Sequence, residues 1–281
     1  MNLFKLQCVP MNLYYQWIPG AYSSIAAQNI AEWLSITYDQ SIGLETFDDV
    51  RDKIEEWHLG ILPIENSYAG SIHDNFYHFM RHDAKILGEL TVKVNHALLA
   101  KPGANIETIT EAYSHPQALS QCHDFLKSHN IQDMSYKDTA AAAQRVSQQS
   151  DTHIAAIASE YAAELYHLEI LAKNIQDQDQ NRTRFLLVAK SDTTVSHSTS
   201  IGKTTILFET RDIPGALYKS LGCFATANIN LTKIESIPSY KNPFIYSFWI
   251  DIQGHTDDQW VKTALEELAF YTNEIKILGE Y

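Results

Sequence analysis

The sequence has 281 residues, of which 45% are hydrophobic and 20% charged, the composition of a globular protein with enough apolar material for about two domains. Its 21 Lys and Arg against 34 Asp and Glu leave a formal net charge of −13. This balance argues against sequence-independent nucleic-acid binding and against an anionic membrane surface as partner. No apolar run approaches the ~18–20 residues that a membrane helix needs, and no signal peptide is recognisable. The composition therefore predicts a cytoplasmic protein.

The positions of the cysteines and the absence of several common catalytic motifs exclude further classes of protein. The three cysteines, Cys8, Cys122 and Cys223, form no CxxC pair, so neither a disulfide framework nor a zinc site is indicated. GxxxxGK[ST], GxGxxG, HExxH and GxSxG are all absent from the sequence. His78 and His82 have a spacing that suits a metal, but no carboxylate or third histidine stands at a spacing from them that would indicate a metal site. We therefore expect a solvated helix face there, and no metal.

A repeated pattern runs through the first two thirds of the chain. Five times a short apolar run is followed by a cluster of small or polar residues and then by a helix-like stretch; the clusters lie at 19–20, 65–67, 115–117, 138–139 and Ser159. This alternation predicts an α/β fold with largely parallel strands. Each cluster is also a candidate helix N-terminus, with Ser23, Ser71, Thr139 and Ser159 as N-cap candidates and Pro116 at a first helical position.

Such a fold binds ligands outside the carboxyl ends of its strands, where these clusters fall. Helix N-termini that converge there would hold an anion through free backbone N–H groups and helix dipoles. An acidic protein has few basic side chains to bind a carboxylate, so this arrangement suits it. The alternative is that these residues only cap helices, which is the better interpretation of any single cluster; five in succession favour a ligand cleft.

The last part of the chain has a different organisation. Residues 191–203 are rich in Ser and Thr and predict a linker between a first unit, 12–190, and a second, 204–281. In the second unit, apolar residues alternate with period two from 244 to 252, and an apolar helix face lies within 260–269. Together with the flanking elements they predict the order βαββαβ of a ferredoxin-like sandwich.

Several stretches resemble one enzyme family in order along nearly the whole chain. They read PGAYSSIAA (19–27), LPIENSYAGSI (62–72), YSHPQALSQC (113–122), DTAAAA (138–143), IQDQDQNRTRF (175–185), PGALY (214–218) and NINLTKIESIP (228–238). The set resembles prephenate dehydratase followed by its ACT regulatory domain, without the family's chorismate-mutase extension. The resemblance implies a two-lobed catalytic domain akin to type II periplasmic binding proteins, with the active site between the lobes. It also implies that prephenate loses water and carbon dioxide to give phenylpyruvate, without a cofactor.

The resemblance assigns the catalytic threonine to Thr183. Its hydroxyl is too weak an acid for a conventional general acid, so we interpret it as a donor to the leaving oxygen or as the last link of a proton relay. The alternative role, a β-branched residue that opens a strand, would not need the hydroxyl. Arg184 either binds a substrate carboxylate or braces the loop through an acidic neighbour, and Phe185 is expected to pack.

The other motifs supply further site residues. Asn66, Ser67 and Gly70 are expected to provide donors, with Gly70 also admitting close approach of the backbone. Glu65 is either a buried acid or a loop anchor. A second polar wall would come from Ser114, His115 and Gln117, where His115 relays a proton or only orients its neighbours. Ser23 and Thr139 are further ligand candidates, and Trp17 stands where such relatives usually have glycine.

The resemblance also implies regulation and assembly. In the family, ACT domains pair across a two-fold axis and bind phenylalanine at that interface; the matching positions are Gly215, Ala216, Leu217, Asn230, Leu231, Glu235 and Ser236. Here they would form a homodimer or homotetramer. Alternatively, Gly215, Ala216 and Leu217 only begin a helix and Asn230 only opens a strand. Ile237 replaces the arginine of the family's motif, which removes a donor fork, so we expect phenylalanine to bind but to inhibit less.

Two alternatives to a prephenate dehydratase stay open at this point. Arogenate dehydratase performs the same elimination on the amino analogue, and the sequence does not separate the two substrates. A two-lobed small-molecule sensor would use the same fold without catalysis, but it would have no need of the Thr183-Arg184-Phe185 triplet.

Overall fold

A computed structural model describes residues 11–193, 202–239 and 245–281. The predictions about Cys8, most of the 191–203 linker and the beginning of the alternating strand at 244 lie outside these residues. Within the described ranges no helix is both long and apolar enough to cross a membrane.

The chain builds one lobe, crosses to a second lobe and then returns to the first. The first lobe contains β1 (Leu13–Gln16), α1 (Tyr22–Trp33), β2 (Ser41–Leu44), α2 (Phe47–Glu55), β3 (Leu59–Asn66), β4 (Gly70–Ser71), α3 (His73–Arg81) and β5 (Ala84–Lys93). The second lobe contains β6 (Ala97–Ala100), a 3-10 turn (Ile106–Thr108), β7 (Glu111–Ser114), α4 (Pro116–Gln121), α5 (His123–Ser128), β8 (Gln132–Ser135), α6 (Thr139–Gln148), β9 (Ile154–Ala158), α7 (Glu160–Tyr166) and β10 (Glu169–Lys173). Strand β11 (Arg182–Lys190) then completes the first lobe.

The two sheets have the same plan. Their strand orders are β2-β1-β3-β11-β5, with β4 beside β3, and β10-β6-β9-β7-β8. Strands β2, β1 and β3 are parallel, as are β9, β7 and β8, whereas β6 and β11 run antiparallel to both neighbours. The prediction of largely parallel pairing is therefore only partly right. Strands β6 and β11 have just crossed from the other lobe, so they enter at the edge where the parallel strands end and run the opposite way.

Only some of the residues predicted to cap or begin helices do so. Ser159 caps α7 and Pro116 opens α4, as predicted. Asp138, rather than Thr139, caps α6 by accepting from the Ala141 N–H at 2.9 Å. Ser23 and Ser71 are not caps, because their hydroxyls donate to the Gln16 carbonyl and to the Glu235 carboxylate. The prediction that His78 lies on a solvated helix face is wrong, because this residue of α3 is only 2% exposed.

The C-terminal unit has the predicted βαββαβ order. It consists of β12 (Lys203–Thr210), α8 (Ala216–Thr226), β13 (Leu231–Pro238), β14 (Tyr246–Gln253), α9 (Gln259–Leu268) and β15 (Thr272–Glu280). The antiparallel strands are ordered β13-β14-β12-β15. One face of this sheet packs on α8 and α9 through an apolar cluster that includes Ile206, Phe224, Ile250 and Leu268. This unit is the ACT-like domain that the sequence indicated.

The other face of the C-terminal sheet shares a core with the first lobe. The Trp249 ring lies edge-on to Phe76 and Phe79 of α3, with ring centroids 4.9 and 5.2 Å apart. Ile237 and Leu278 belong to the same fully buried cluster. Ile237, which stands where the family's motif has arginine, therefore makes an apolar contact with the first lobe. Burial of such side chains contributes roughly 1.5–3 kcal/mol each, so this core holds the two domains together.

Gly279 of β15 is a point of closest approach between the domains. A Cβ built on Gly279 would lie 2.3 Å from the Ile86 carbonyl oxygen of β5, whereas one on Gly222 of α8 meets nothing within 4 Å. We expect Gly279→Ala to lower the free energy of unfolding by about 1–3 kcal/mol, because the strands must separate. Gly222→Ala, the matched control, should be neutral or stabilise by up to ~1 kcal/mol. Urea unfolding with equal midpoints for both variants would contradict the close contact.

Candidate active site

A cleft of about 260 Å³ lies between the two lobes. The N-termini of α1, α4 and α6 all reach it, which confirms for three helices the convergence that the polar clusters predicted. Its lining includes Trp17, Tyr22, Ser23, Asn66, His96, His115, Gln117, Gln121, Asp138, Thr139, Asn181, Thr183 and Phe185. Both lobes thus contribute to one site, so a ligand would contact both at once.

Thr183 and Asn66 form the central pair of this cleft. They are register partners on the antiparallel strands β11 and β3, and both are buried. The Asn66 side-chain oxygen accepts from the backbone N–H groups of Tyr68 and Ala69 at 3.0 and 2.9 Å, which fixes the orientation of the amide. Its Nδ2 then donates to Thr183 Oγ1 at 2.9 Å. Because that oxygen accepts, and no acceptor for its proton lies among the described residues, the hydroxyl can donate into the cleft.

A chain of neutral polar groups extends from this pair. Asn66 Nδ2 also donates to Asn181 Oδ1 at 2.9 Å, and Asn181 Nδ2 donates to Gln121 Oε1 at 2.8 Å. His96 Nε2 lies 3.1 Å from the same Gln121 oxygen, and His96 Nδ1 lies 3.2 Å from the Tyr22 hydroxyl. Since Gln121 Oε1 can only accept, His96 carries its proton on Nε2. Burial lowers the pKa of His96 to about 4, so its ring is neutral near pH 7.

None of the outer members of this network was predicted. Tyr22, Gln121 and Asn181 lie inside motifs that the sequence singled out but were not chosen as site residues, and His96 lies outside every motif. His96 occupies the first crossing between the lobes, and its backbone N–H donates to Gln176 of the second crossing at 2.9 Å. The network therefore joins Thr183 to both segments that cross between the lobes.

The electrostatics of the cleft depend on backbone dipoles. Among the described lining residues there is no lysine or arginine, and Asp138 is the one carboxylate. Burial raises the pKa of Asp138, against the hydrogen bonds that its carboxylate accepts at the start of α6. At α4 the Gln117 N–H donates to His115 Nδ1 at 3.2 Å. An anionic ligand here would depend on N–H groups and helix dipoles, as the polar clusters suggested.

The structure brings most of the predicted site residues to the cleft. Seven line it: Ser23, Asn66, His115, Gln117, Thr139, Thr183 and Phe185. Ser114 does not, because it is fully buried and donates to the Ile157 carbonyl at 2.6 Å. Ser67 is exposed, and its hydroxyl donates to the Gln180 carbonyl at 3.1 Å. This bond braces the loop that precedes β11. Gly70 is exposed in a left-handed turn, φ +78°, outside the lining.

Glu65 and Arg184, both predicted as catalytic, face the C-terminal domain. Arg184 Nη1 lies 2.6 Å from an Asp251 carboxylate oxygen, and its Nη2 donates to the Tyr281 hydroxyl at 3.0 Å. Glu65 pairs with Lys233 Nζ at 2.9 Å and is 42% exposed, so it is not a buried acid. Of the two roles open for Arg184, the geometry matches bracing through acidic neighbours. Both side chains point away from the cleft because they alternate with Asn66 and Thr183 along their strands.

Trp17 lines the cleft and adopts a left-handed backbone conformation, φ +74°. This region favours glycine, the residue that such relatives usually have at this position. The indole ring is therefore an added part of the cleft wall in this chain.

The predicted effector residues divide between two faces. Gly215 is the N-cap of α8 with φ +73°, and Ala216 and Leu217 begin that helix. Asn230 and Ser236 are exposed and Leu231 is half-buried. Glu235, in contrast, accepts from the Ser71 hydroxyl of β4 and lies 3.6 Å from Lys233, so it faces the first lobe. Glu235 therefore belongs to the domain junction.

Comparison with known proteins agrees with this architecture. The sequence profile described as "Prephenate dehydratase" matches residues 13–193. "Arogenate dehydratase/prephenate dehydratase 2, chloroplastic" of Arabidopsis thaliana is 38% identical over 278 residues, covering 95% of this chain and 71% of that protein. A prephenate dehydratase from Arthrobacter aurescens in complex with L-Phe is 27% identical, with TM-score 0.82, 96% of this chain covered and 89% of that chain. GqqA, described as a novel type of quorum quenching acylase, is 32% identical with TM-score 0.83, covering 96% and 97%.

The family profile and the dehydratase relatives identify the chain as a dehydratase, an enzyme of the lyase class. The chain belongs to the prephenate dehydratase family, because the family profile spans most of the chain and the Arabidopsis relative matches nearly all of it.

Proposed function

We propose that the interlobe cleft converts prephenate to phenylpyruvate, with Thr183 as the donor to the leaving hydroxyl. The observation that carries this proposal is the Asn66–Thr183 pair: the amide holds the hydroxyl by its oxygen at 2.9 Å and leaves its proton for the cleft. The resemblance to the family's motif, which assigns the catalytic threonine to Thr183, supports this role.

Prephenate is a dianion whose ring becomes aromatic when it loses the ring carboxylate as carbon dioxide and the hydroxyl as water. Aromatisation supplies the driving force, so the enzyme has to orient the substrate and assist the departing oxygen. The N-termini of α1, α4 and α6 provide N–H groups for the carboxylates. Thr183 donates to the hydroxyl as its bond to the ring breaks, and Phe185 packs beside the ring. Orientation and a positioned donor are each effective means of catalysis.

Arogenate is a second candidate substrate, and one observation favours it. Asp138 is the one carboxylate among the described residues of the lining. A negative charge there attracts the ammonium group of arogenate and has no such partner on prephenate, which carries a ketone at that position. The name of the Arabidopsis relative includes both dehydratase activities.

Acylase chemistry, the activity in the name of GqqA, has less support in this cleft. An acyl-transfer nucleophile needs a neighbouring base to take its proton. Among the described residues the hydrogen-bond partner of Thr183 Oγ1 is the Asn66 amide, which is a donor and not a base. The geometry thus suits hydrogen-bond donation by Thr183 better than nucleophilic attack.

The role of Thr183 is tested with Thr183→Val, which keeps the branched shape, and with Thr183→Ser, which keeps the hydroxyl. We expect Thr183→Val to lower kcat about 100-fold or more on prephenate and on arogenate, because it loses the donor. Thr183→Ser should retain most of the activity, and both variants should unfold like the parent protein. Near-normal kcat in Thr183→Val would make the residue structural, and no turnover of either substrate by the parent would refute the proposed function.

Substrate choice is tested with Asp138→Asn, because asparagine can still cap α6. We expect the ratio of kcat/KM for prephenate to that for arogenate to rise about tenfold, which corresponds to about 1.4 kcal/mol of lost attraction for the ammonium group. Phenylpyruvate and phenylalanine are measured separately as the products. An unchanged ratio would show that Asp138 does not contact the distinguishing group.

We further propose that phenylalanine binds to the C-terminal domain of a homo-oligomer, a dimer or tetramer. Strand β13 is an edge strand of its sheet, and Ile234 on it and Tyr218 on α8 are 47% and 83% exposed. An exposed edge with apolar side chains favours pairing with a second copy. The Arthrobacter relative, whose structure contains L-Phe, supports phenylalanine as the effector. Lys233 and Glu235 on the same strand contact Glu65 and Ser71, which connects this edge to β3 and β4.

Lys233→Met should separate effector binding from inhibition. We expect calorimetry to show unchanged phenylalanine binding, while the concentration for half-inhibition rises at least about fivefold, the lower end of typical allosteric coupling. Lys262→Met, on the exposed side of α9, is the matched control and should change neither. Sedimentation would establish the oligomer. Parent protein that binds no phenylalanine would refute the effector site, and equal inhibition of both variants would exclude Lys233 from the coupling.

A further inference from the structure

A second cavity, of about 130 Å³, lies between α2 and α3 and shares no residue with the interlobe cleft. Glu55, the last residue of α2, meets His78 of α3 and His82, the residue that follows α3. One ligating atom from each of these three side chains lies within 4.8 Å of the others, and Glu55 Oε1 lies 3.4 Å from His82 Nδ1. None of the three residues lines the interlobe cleft.

His78 points to a ligand independently of this grouping. Its side chain is 2% exposed, yet neither of its ring nitrogens has a hydrogen-bond partner among the described residues, and the same holds for the buried Glu55 Oε1. Buried polar atoms are normally paired, because leaving them unpaired costs about 1–3 kcal/mol each.

We propose that Glu55, His78 and His82 bind a divalent transition-metal ion of the Zn²⁺ class, with water in the remaining position. Two imidazoles and one carboxylate are a known zinc donor set, whereas Mg²⁺ and Ca²⁺ take oxygen ligands. Zinc bonds of about 2.0–2.1 Å place tetrahedral ligand atoms roughly 3.3 Å apart. The distance of 3.4 Å between Glu55 Oε1 and His82 Nδ1 already matches this spacing of two ligand atoms. A modest rotation of His78 would bring one of its ring nitrogens to the third ligand position.

The surroundings of the site suit a cation. Besides Glu55, the cavity is lined by the carboxylates of Asp48, Asp52 and Asp74. Of the two arginines in the lining, Arg51 is engaged by Asp48 and by the Asn75 side-chain oxygen, the latter at 2.8 Å. The local charge therefore does not oppose a divalent ion.

Metal binding here would stabilise the contact between the domains. Helix α3 carries Phe76 and Phe79 against Trp249, and Lys276 of β15 donates to the His82 carbonyl at 2.6 Å. An ion that joins α2 to α3 would hold this docking helix in place. Because the ion would bind the folded state, it would raise the melting temperature increasingly as its free concentration exceeds its Kd.

The test uses the full chain, stripped with a chelator and titrated with Zn²⁺ alone. We expect calorimetry to show one ion bound per chain, a higher melting temperature, and visible absorption of bound Co²⁺ typical of a four-coordinate site. His82→Asn and Glu55→Gln should each weaken Zn²⁺ binding at least about tenfold. The matched controls are His73→Asn on the same helix and Glu56→Gln beside Glu55, which should leave binding unchanged.

His78→Leu distinguishes a ligand from a packing residue. Without metal it should be at least as stable as the parent, because it removes unpaired buried nitrogens, and added Zn²⁺ should no longer raise its melting temperature. Circular dichroism checks that every variant is folded. The site would be refuted by the absence of Zn²⁺ binding in the parent, or by binding that His82→Asn, Glu55→Gln and the controls share equally. None of these outcomes depends on the catalytic activity.

Discussion

The pairing register of β3 with β11 is the constraint on which the site and the domain contact both depend. Asn66 is opposite Thr183, and Glu65 is opposite Arg184. Successive side chains of a strand point to opposite faces, so this single register sends the first pair into the cleft and the second pair toward the C-terminal domain. A slip of one residue would exchange the two faces and remove the hydroxyl from the cleft. The proposed donor geometry and the contact between the domains are therefore two consequences of the same ladder.

Apolar and charged side chains contribute differently to the stability of the contact between the domains. Trp249, Phe76, Phe79 and Leu278 are almost fully buried and supply most of the stabilisation. The buried ion pair of Arg184 with Asp251 contributes little net energy, because removing both charges from water costs about as much as their attraction returns. Breaking it would nevertheless leave an unpaired buried charge. The ion pair thus acts chiefly to fix which arrangement forms, while the apolar core determines how stable that arrangement is.

Local patterns in the sequence predicted much of this protein, and tertiary juxtaposition accounts for what they missed. The alternation of strands and helices predicted the α/β class of the first unit, the family resemblance implied its two lobes, and period two with the flanking elements predicted the βαββαβ unit. Linear motifs singled out Thr183 and Asn66, which line the cleft, but adjacency in the same motifs also drew in Arg184 and Glu65, which do not. The period of two along a strand would have assigned these neighbours to opposite faces only if the sequence had shown that β11 begins at Arg182. Strands β6 and β11 are reversed because the chain crosses between lobes, which no local pattern records. Glu55 and His78 are brought together by the packing of two helices.

Because the described residues of the cleft lining include no lysine or arginine, a substrate with carboxylate groups would depend on fixed dipoles. Of the two arginines adjacent to Thr183, Arg184 is engaged by the C-terminal domain and Arg182 does not line the cleft, so neutral donors would have to serve instead. Preorganised N–H groups do this well when water is excluded, because they need no reorganisation as charge develops. Gln121 belongs to the second lobe, and its side-chain oxygen accepts from Asn181 of the second crossing and pairs with His96 of the first crossing. Asn181 in turn accepts from Asn66. The Asn66 amide itself is held within the first lobe, because its oxygen accepts from the backbone N–H groups of Tyr68 and Ala69. The donor pair is thus preorganised by one lobe, and its links through Asn181 to Gln121 connect it to the lobe that completes the cleft.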